Sequence, residues 1–418
     1  MLGPTFLVYP GASHSRFEHS LGVFDYVRQF LYALLRNQNL RVTLSEEDLL
    51  TVLAAGLVHD LGHYPFAHSL EALHLKGEDT PRHEEVGGQV IFGEFAPLRG
   101  KRSIAKILKE DWNVDPHRVI ALCTGEAKRS TEPVDRVLHS IISGTIDADK
   151  MDYLERDSHH MGVPYGRTFD RERLLASLTL NESEDALAID AKGKVPAEMF
   201  VFARYTMFSE VYWHHTVRAA SAMVENAIAA FHSRDTVSKK AFLDLLLSYD
   251  DDSFLTWLAT NTPENSATRF LIQGLLPGTR ELYKRIATFS RAYVEPEKKK
   301  AYEKIYEMER AQLFDLTARL RVRLGASIGH PLHPAAVIID IPPRDKDKLE
   351  TIDVVYPAAR GIRTYKLHDL SAVVAGIQGD FIAVVKKIRI FTHPHFAPLL
   401  RALPDLEEII LDEILSGP

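Results

Sequence analysis

His59 and Asp60, adjacent at the end of an almost wholly apolar run, are the pair in this sequence that most needs a partner. The run before them, Leu49, Leu50, Val52, Leu53, Ala54, Ala55, Leu57 and Val58, reads as a buried helix, with Ser45 as its N-cap and Asp48 three residues on. An imidazole and a carboxylate at the end of a core helix are costly to bury alone, and a divalent metal ion would engage both. Gly62 and Pro65 then stop the helix and turn the chain, which leaves His63 and His68 on a loop beside that pair. Two distant segments add donors of the same kind. One passes from a turn at Pro10 and Gly11 into a helix whose apolar face is Leu21, Phe24, Val27, Leu31 and Leu34, with His19 in its first turn. The other, residues 146–160, reads as a helix on which Asp149, Tyr153 and Asp157 recur every four residues and share a face. Two imidazoles and two carboxylates suit iron, manganese or zinc, and admit magnesium; ligand type does not choose among them. Such an ion lowers the pKa of a bound water and neutralises a phosphate oxygen, the chemistry that phosphoester cleavage needs. The plainer reading makes these residues capping or hydrogen-bonded core polars. Their convergence from three separated segments argues against it.

The order His19, His59-Asp60, Asp149 is the H…HD…D pattern of the HD-domain metal-dependent phosphohydrolases. The flanking text, PGASHSRFEHSLGV, AGLVHDLGHYPFAH and IDADKMDYLERDSHHMG, resembles the dNTP triphosphohydrolase subgroup, which includes bacterial dGTPase-like enzymes and the vertebrate sterile-alpha-motif/HD-domain enzyme. The resemblance runs from the start to about residue 220 and fades beyond. It implies His19, His59, Asp60 and Asp149 as metal ligands, and His68 as the proton donor to the leaving 5′ oxygen. Glu71, one turn later, would hold the other ring nitrogen of His68; His63 and His83 are further catalytic candidates. Arg16 and Lys150 would bind phosphate oxygens, the first as a planar fork and the second as a point charge. Tyr153 and Asp157 would face the sugar, and His215 would join them from a later helix. There the match departs from the pattern. An arginine one turn before the histidine matching His215, and a tyrosine one turn after it, are replaced by Val211 and Ala219. Arg218 and Arg204 are the two residues able to supply the missing charge. Members of that family also carry an upstream arginine-rich helix and a Gln-Leu-Gly entry, whereas this chain opens at Met1-Leu2-Gly3-Pro4. The expectation is a start further upstream or a shortened nucleotide-binding wall.

The implied reaction converts a dNTP and water to deoxynucleoside and triphosphate. The alternatives are an HD phosphohydrolase of another nucleotide or phosphomonoester, and a nucleotide-sensing protein with a vestigial site. Cyclic-dinucleotide cleavage is disfavoured, because Leu61-Gly62-His63 follows the His-Asp pair and no Gly-Tyr-Pro motif occurs. By analogy the partners are a nucleotide substrate, a nucleotide activator and further copies of the chain in a dimer or tetramer.

The elements that must carry these residues read as mainly α: an HD-domain helical fold with a smaller C-terminal α+β lobe. The expected units are 1–235, the HD phosphohydrolase domain; 236–330, a charged helical extension; and 331–418, the lobe. Shorter helices are expected from Glu78 to about Ser140, then one helix from Val134 to His160. A short strand pair follows within residues 174–194, turning at 191–194. After Pro196 one long helix is expected to carry Arg204, His214, His215 and Arg218. Strands are expected at 337–341, 351–355 and 381–385. In a chain of 418 residues, 45% hydrophobic and 26% charged content suits a globular protein of two or three parts. No run approaches a membrane span and no secretory signal is visible. The single cysteine, Cys123, leaves no intrachain disulfide and fits the cytoplasm. A net charge of −7 argues against general nucleic-acid binding, although Lys298 to Lys300 and Lys386-Lys387 are local basic clusters.

Overall fold

Two antiparallel helices at the N-terminal end, Arg16–Arg36 and Glu46–Val58, form the frame on which the polar residues are mounted. Each starts where its side chains satisfy the free backbone donors: Ser15 accepts from Glu18 N, and Ser45 with Asp48 forms a full capping box. Gly56 lets the second helix lie against Phe24 and Val27 of the first, where an added Cβ would stand 3.0 Å from Val27 Cγ2. The computed structural model describes residues 2–37, 42–71, 82–95, 100–234, 239–293, 295–342, 351–359 and 361–416. Met1, Glu78, the 235/236 boundary and the last two residues, all named above, lie outside them.

The structure is mainly helical, with a small C-terminal α+β part. Against the two frame helices pack Pro116–Thr124, Pro133–Ile142 and Ala148–Met161, and Lys194–Met207 packs on the last of these. Phe30, Leu34, Leu122, Leu138, Leu154 and Phe200 are among the side chains they bury almost completely. Each such side chain stabilises the fold by roughly 1.5–3 kcal/mol relative to exposure.

Several expected elements divide differently. The helix expected over 134–160 is two, Pro133–Ile142 and Ala148–Met161. Asp147 breaks it by accepting from Lys150 N and so capping a new start. The long helix expected after Pro196 starts at Lys194, widens into a π-helical turn over Phe208–Tyr212, and restarts at His215 to run to Arg234. That insertion changes the angular phase between its two halves. The strand pair is real: β1 (Leu178–Leu180) lies antiparallel to β2 (Leu187–Asp190), but the chain turns at 181–186 through the Asn181 side chain. Residues 191–193 are instead a 3-10 turn into the next helix.

A strand unforeseen in the helical stretch, β3 (Lys284–Phe289), pairs antiparallel with β7 (Ile388–Thr392), which also pairs with β4 (Val337–Asp340). β5 (Asp353–Ala358) and β6 (Gly361–Lys366) form a hairpin, and β5 runs parallel to β2. The C-terminal segment therefore completes a sheet begun before residue 200. Residues 381–385, expected as a strand, are a π-helical turn, and β7 begins three residues later. An apolar run that short satisfies both patterns, and its pairing partners decide. Among the described residues no helix is long and apolar enough to cross a membrane.

Candidate active site

His19, His59, Asp60 and Asp149 come together from the two frame helices and the Ala148–Met161 helix. One ligand atom from each of His19, His59 and Asp149 lies within 4.8 Å of the others. His19 Nε2 is 3.1 Å from Asp149 Oδ1 and 3.8 Å from Asp60 Oδ2, and His59 Nε2 is 3.4 Å from Asp60 Oδ1. The far side of each ring is fixed. His59 Nδ1 lies 3.0 Å from the Gly56 carbonyl, which can only accept, and His19 Nδ1 lies 2.7 Å from Asp152 Oδ2. Both Nε2 atoms are thereby aimed inward, as in carboxylate- or carbonyl-oriented metal histidines. His59 Nε2 is buried with no hydrogen-bond partner among the described residues. This set fits a metal ion.

The electrostatics agree. Burial alone would lower the His19 pKa, but hydrogen bonds with Asp149 and Asp152 raise it to about 10. Burial would raise Asp149, yet His19 and His59 hold it far below the carboxylate range; His63 and His59 do the same for Asp60. The cluster favours an added positive charge, for which a proton on His19 and a metal ion compete.

Beside it stands a rim of imidazoles. The His63 and His83 rings are 3.7 Å apart, and His68 lies 4.9 Å from the first and 5.5 Å from the second. Gly62 makes this approach possible. A Cβ there would fall 1.9 Å from the His83 carbonyl oxygen and 2.2 Å from Gly87 N, so no larger residue allows the His83–Phe92 helix so close. His63 Nδ1 faces Asp60, while His63 Nε2 is buried without a hydrogen-bond partner among the described residues. Desolvation lowers the His63 pKa to about 4 despite Asp60, so this ring is neutral near pH 7. Glu71 stands within electrostatic reach of His68 and binds His83. Its Oε1 accepts from His83 Nδ1 at 2.7 Å and from His83 N at 2.8 Å, so it orients His83. Burial would raise Glu71, but those bonds pull it down to about 2. His68 is exposed at the mouth of the rim.

The wall beyond is largely self-satisfied. Arg16 donates to Asp60 Oδ2 at 2.8 Å. Lys150 Nζ is tied to Asp147 Oδ2 at 2.6 Å and to the Gly144 carbonyl. Asp157, only 1% exposed, has His14 Nε2 on one oxygen and accepts the Tyr212 hydroxyl on the other. Tyr153 lies near Tyr212, with ring centroids 6.4 Å apart. Arg218 is drawn elsewhere, into a buried ion pair with Asp340 and toward Glu225 at 3.5 Å. His215 is exposed at the surface; partial desolvation on the side of its ring that meets the protein, with the nearby charges of His214, Arg285 and Arg389, lowers its pKa to about 4. The structure thus joins Arg16, Lys150, Tyr153 and Asp157 to the His19–His59–Asp149 cluster through shared helices, and sets Arg218 and His215 toward β3, β4 and β7.

Sequence reasoning missed Asp152, Asp147 and Tyr212. Asp152 sits three residues after Asp149, a helix-face signal that was legible. Tyr212 was not, because the π-helical turn that brings it to Asp157 leaves no pattern in the sequence.

Comparison with known proteins bears on this arrangement. Residues 16–157 match the HD domain, and residues 169–392 match the HD associated region. An uncharacterized Bacillus subtilis protein, YwfO, is 35% identical over 224 residues, covering 53% of this chain and 46% of that protein. The human deoxynucleoside triphosphate triphosphohydrolase SAMHD1 is 30% identical over 243 residues, covering 54% of this chain and 38% of the enzyme. The chain spans about half the length of these relatives or less. Among solved structures, a hypothetical protein from Aquifex aeolicus aligns with TM-score 0.64 at 25% identity over 96% of this chain and 89% of that one. A phosphohydrolase from Bacteroides thetaiotaomicron aligns with the same TM-score at 24% identity, covering 93% and 90%, and shares the fold.

Proposed function

Since this chain belongs to the HD-domain phosphohydrolases that carry the HD associated region, we propose that it is a metal-dependent hydrolase of deoxynucleoside triphosphates, releasing deoxynucleoside and triphosphate. The observation that carries this reading is the pairing of a built cation cluster with an imidazole rim through one shared residue, Asp60. Likeness to enzymes named deoxynucleoside triphosphate triphosphohydrolase supports the substrate.

His19, His59, Asp60 and Asp149 hold the divalent ion; iron, manganese, zinc and magnesium all suit them. Bound there, it supplies Lewis acidity toward a phosphate oxygen and a low water pKa. Asp152 and the Gly56 carbonyl keep the two ligand rings oriented. His68, exposed at the mouth, donates the proton to the leaving 5′ oxygen. His63 and His83 line the path behind it, and Glu71 fixes the His83 tautomer with the proton on Nδ1. Arg16, Lys150 and Tyr153 face the phosphates and sugar, with His14 and Tyr212 setting the Asp157 carboxylate.

One observation favours a second reading, hydrolysis of another nucleotide or a phosphomonoester. Arg16, Lys150 and Asp157 are each already paired within the protein, leaving fewer ready contacts for a long triphosphate.

Product analysis tests the proposal. The protein, loaded with manganese, is incubated with each dNTP singly and as a mixture, and products are resolved by ion exchange. Triphosphate plus deoxynucleoside, lost in His59→Ala, is the expected result, and activity only in the mixture would reveal an activator site. Intact dNTPs beside a metal-loaded protein that cleaves a phosphomonoester would establish the second reading instead.

A further inference from the structure

We infer that Asp251 is a positioning residue for the imidazole rim, holding the turn at Phe66 that sets His63 and His68 in place; the inference rests on the phosphohydrolase reading above. Phe66 lies between those two histidines in the chain and takes a φ of 55°, the left-handed region that a residue with a Cβ enters only when its surroundings hold it there. Its amide donates to Asp251 Oδ1 at 3.1 Å, across 185 residues, from the start of the Asp251–Thr260 helix. Its carbonyl accepts from Ser69 N and Leu70 N, and so opens the short Ala67–Glu71 helix that carries His68 and Glu71. One distant carboxylate thus fixes the residue from which that helix starts. Arg16, which donates to Asp60, acts on the charge of Asp251, so the carboxylate also stands close behind the site.

The packing divides the site along the same line. The helices that bear His19, His59 and Asp149 bury Val27, Val52, Met151 and Leu154 in one core. Tyr64, Phe66, Ala67 and Leu70 are buried in another, together with Phe254 and Leu255 of the Asp251–Thr260 helix. The imidazole loop of the HD domain is therefore seated in the core of the HD associated region, residues 169–392. Apolar burial is non-directional and holds the Phe66 ring without fixing its backbone; a hydrogen bond is directional and fixes the amide. A proton donor must come within hydrogen-bond reach of the leaving oxygen, so a small shift of the helix that carries His68 is costly to turnover. The plainer account makes Asp251 a first-turn acid that favours its own helix dipole. That account needs the charge, whereas a hold on Phe66 N needs only an acceptor oxygen at the same place.

The test uses a probe that needs no substrate. Diethyl pyrocarbonate is applied to manganese-loaded wild type, Asp251→Ala, Asp251→Ser and Asp251→Asn, and modification of each histidine is followed by peptide mass spectrometry. Asparagine keeps an oxygen that accepts from the Phe66 amide, whereas serine keeps a polar helix start but falls an atom short. The side chain of His63 is 2% exposed and shielded from the reagent. It is expected to react on the order of tenfold faster in Asp251→Ala and Asp251→Ser and at the wild-type rate in Asp251→Asn, while His19 and His59 stay protected in all four. With whichever nucleotide or phosphomonoester is cleaved, kcat is expected to fall about tenfold or more in the first two and to recover in Asp251→Asn, at unchanged metal content. His63 reactivity within about twofold of wild type in every variant overturns the inference. So does an Asp251→Asn protein as reactive as Asp251→Ala, which would assign the effect to charge, or parallel exposure of His19 and His59, which would assign it to a general loosening of the fold. Should Asp251→Ala fail to fold, Asp251→Ser against Asp251→Asn carries the same comparison. If no phosphoester is cleaved, the reagent still decides the role of Asp251, so the two readings fail separately.

Discussion

The metal-type cluster and the imidazole rim are built from the same residue types and share Asp60, yet their chemistry diverges. In the first, carboxylates from two elements press on two histidines, His19 is pulled up to about 10, and the group favours an added cation. In the second, three histidines crowd together and burial pushes His63 down to about 4, so that ring stays neutral near pH 7. The ratio of acid to imidazole, together with burial, decides between cation site and proton path. A histidine's residue type does not.

Removing a ligand should break the comparison most severely. His59→Ala or Asp60→Ala is expected to lose the bound metal and abolish turnover, read by elemental analysis and product assay. A mutant that keeps stoichiometric metal would place the ion elsewhere. His68→Asn is expected to keep the metal while turnover falls by about 10²–10⁴-fold, and parallel loss of metal would merge the two regions into one. The third effect is a stability slope in chelator-treated protein. His19 has its pKa raised from 6.5 to about 10, so its contribution is fully present below pH 6.5 and lost as pH rises toward 10. Asp149 and Asp60 are depressed, so theirs is present at neutral pH and lost in acid. Thermal unfolding should thus weaken from pH 6.5 to 10 by on the order of a few kcal/mol, and bound metal should flatten the slope. A slope of opposite sign would contradict the charge assignment. Asp152→Asn should weaken metal affinity by about 10–100-fold with the rim unaffected, and Glu71→Gln should do the reverse, lowering turnover without moving metal affinity.

Much of the site was legible because its chemistry demands particular types at particular places. His59-Asp60 at the end of an apolar helix, His19 in a first turn and the Asp149 face all rest on local patterns, and the structure brings them together. The Ser45 capping box is local too, and forms as read. Long-range features left no such trace. β5 pairs with β2 across more than 150 residues, and β3 lies in a stretch whose charge and periodicity read as helix. The register of the later helix failed for a related reason. The π-helical turn at Phe208–Tyr212 shifts the phase, so counting turns from His215 does not show which side chain faces the site.

The sequence by itself determined which groups could serve a metal ion and where the two frame helices start, because both follow from residue chemistry within one or two turns. Only the tertiary structure decided which charges remain to be met. Arg16, Asp157 and Arg218 each find a partner distant in sequence and Lys150 a local acid, while Arg204 Nε finds no hydrogen-bond partner among the described residues. Whether a charge is satisfied depends on what the fold packs against it. Spacing along the chain does not carry that information.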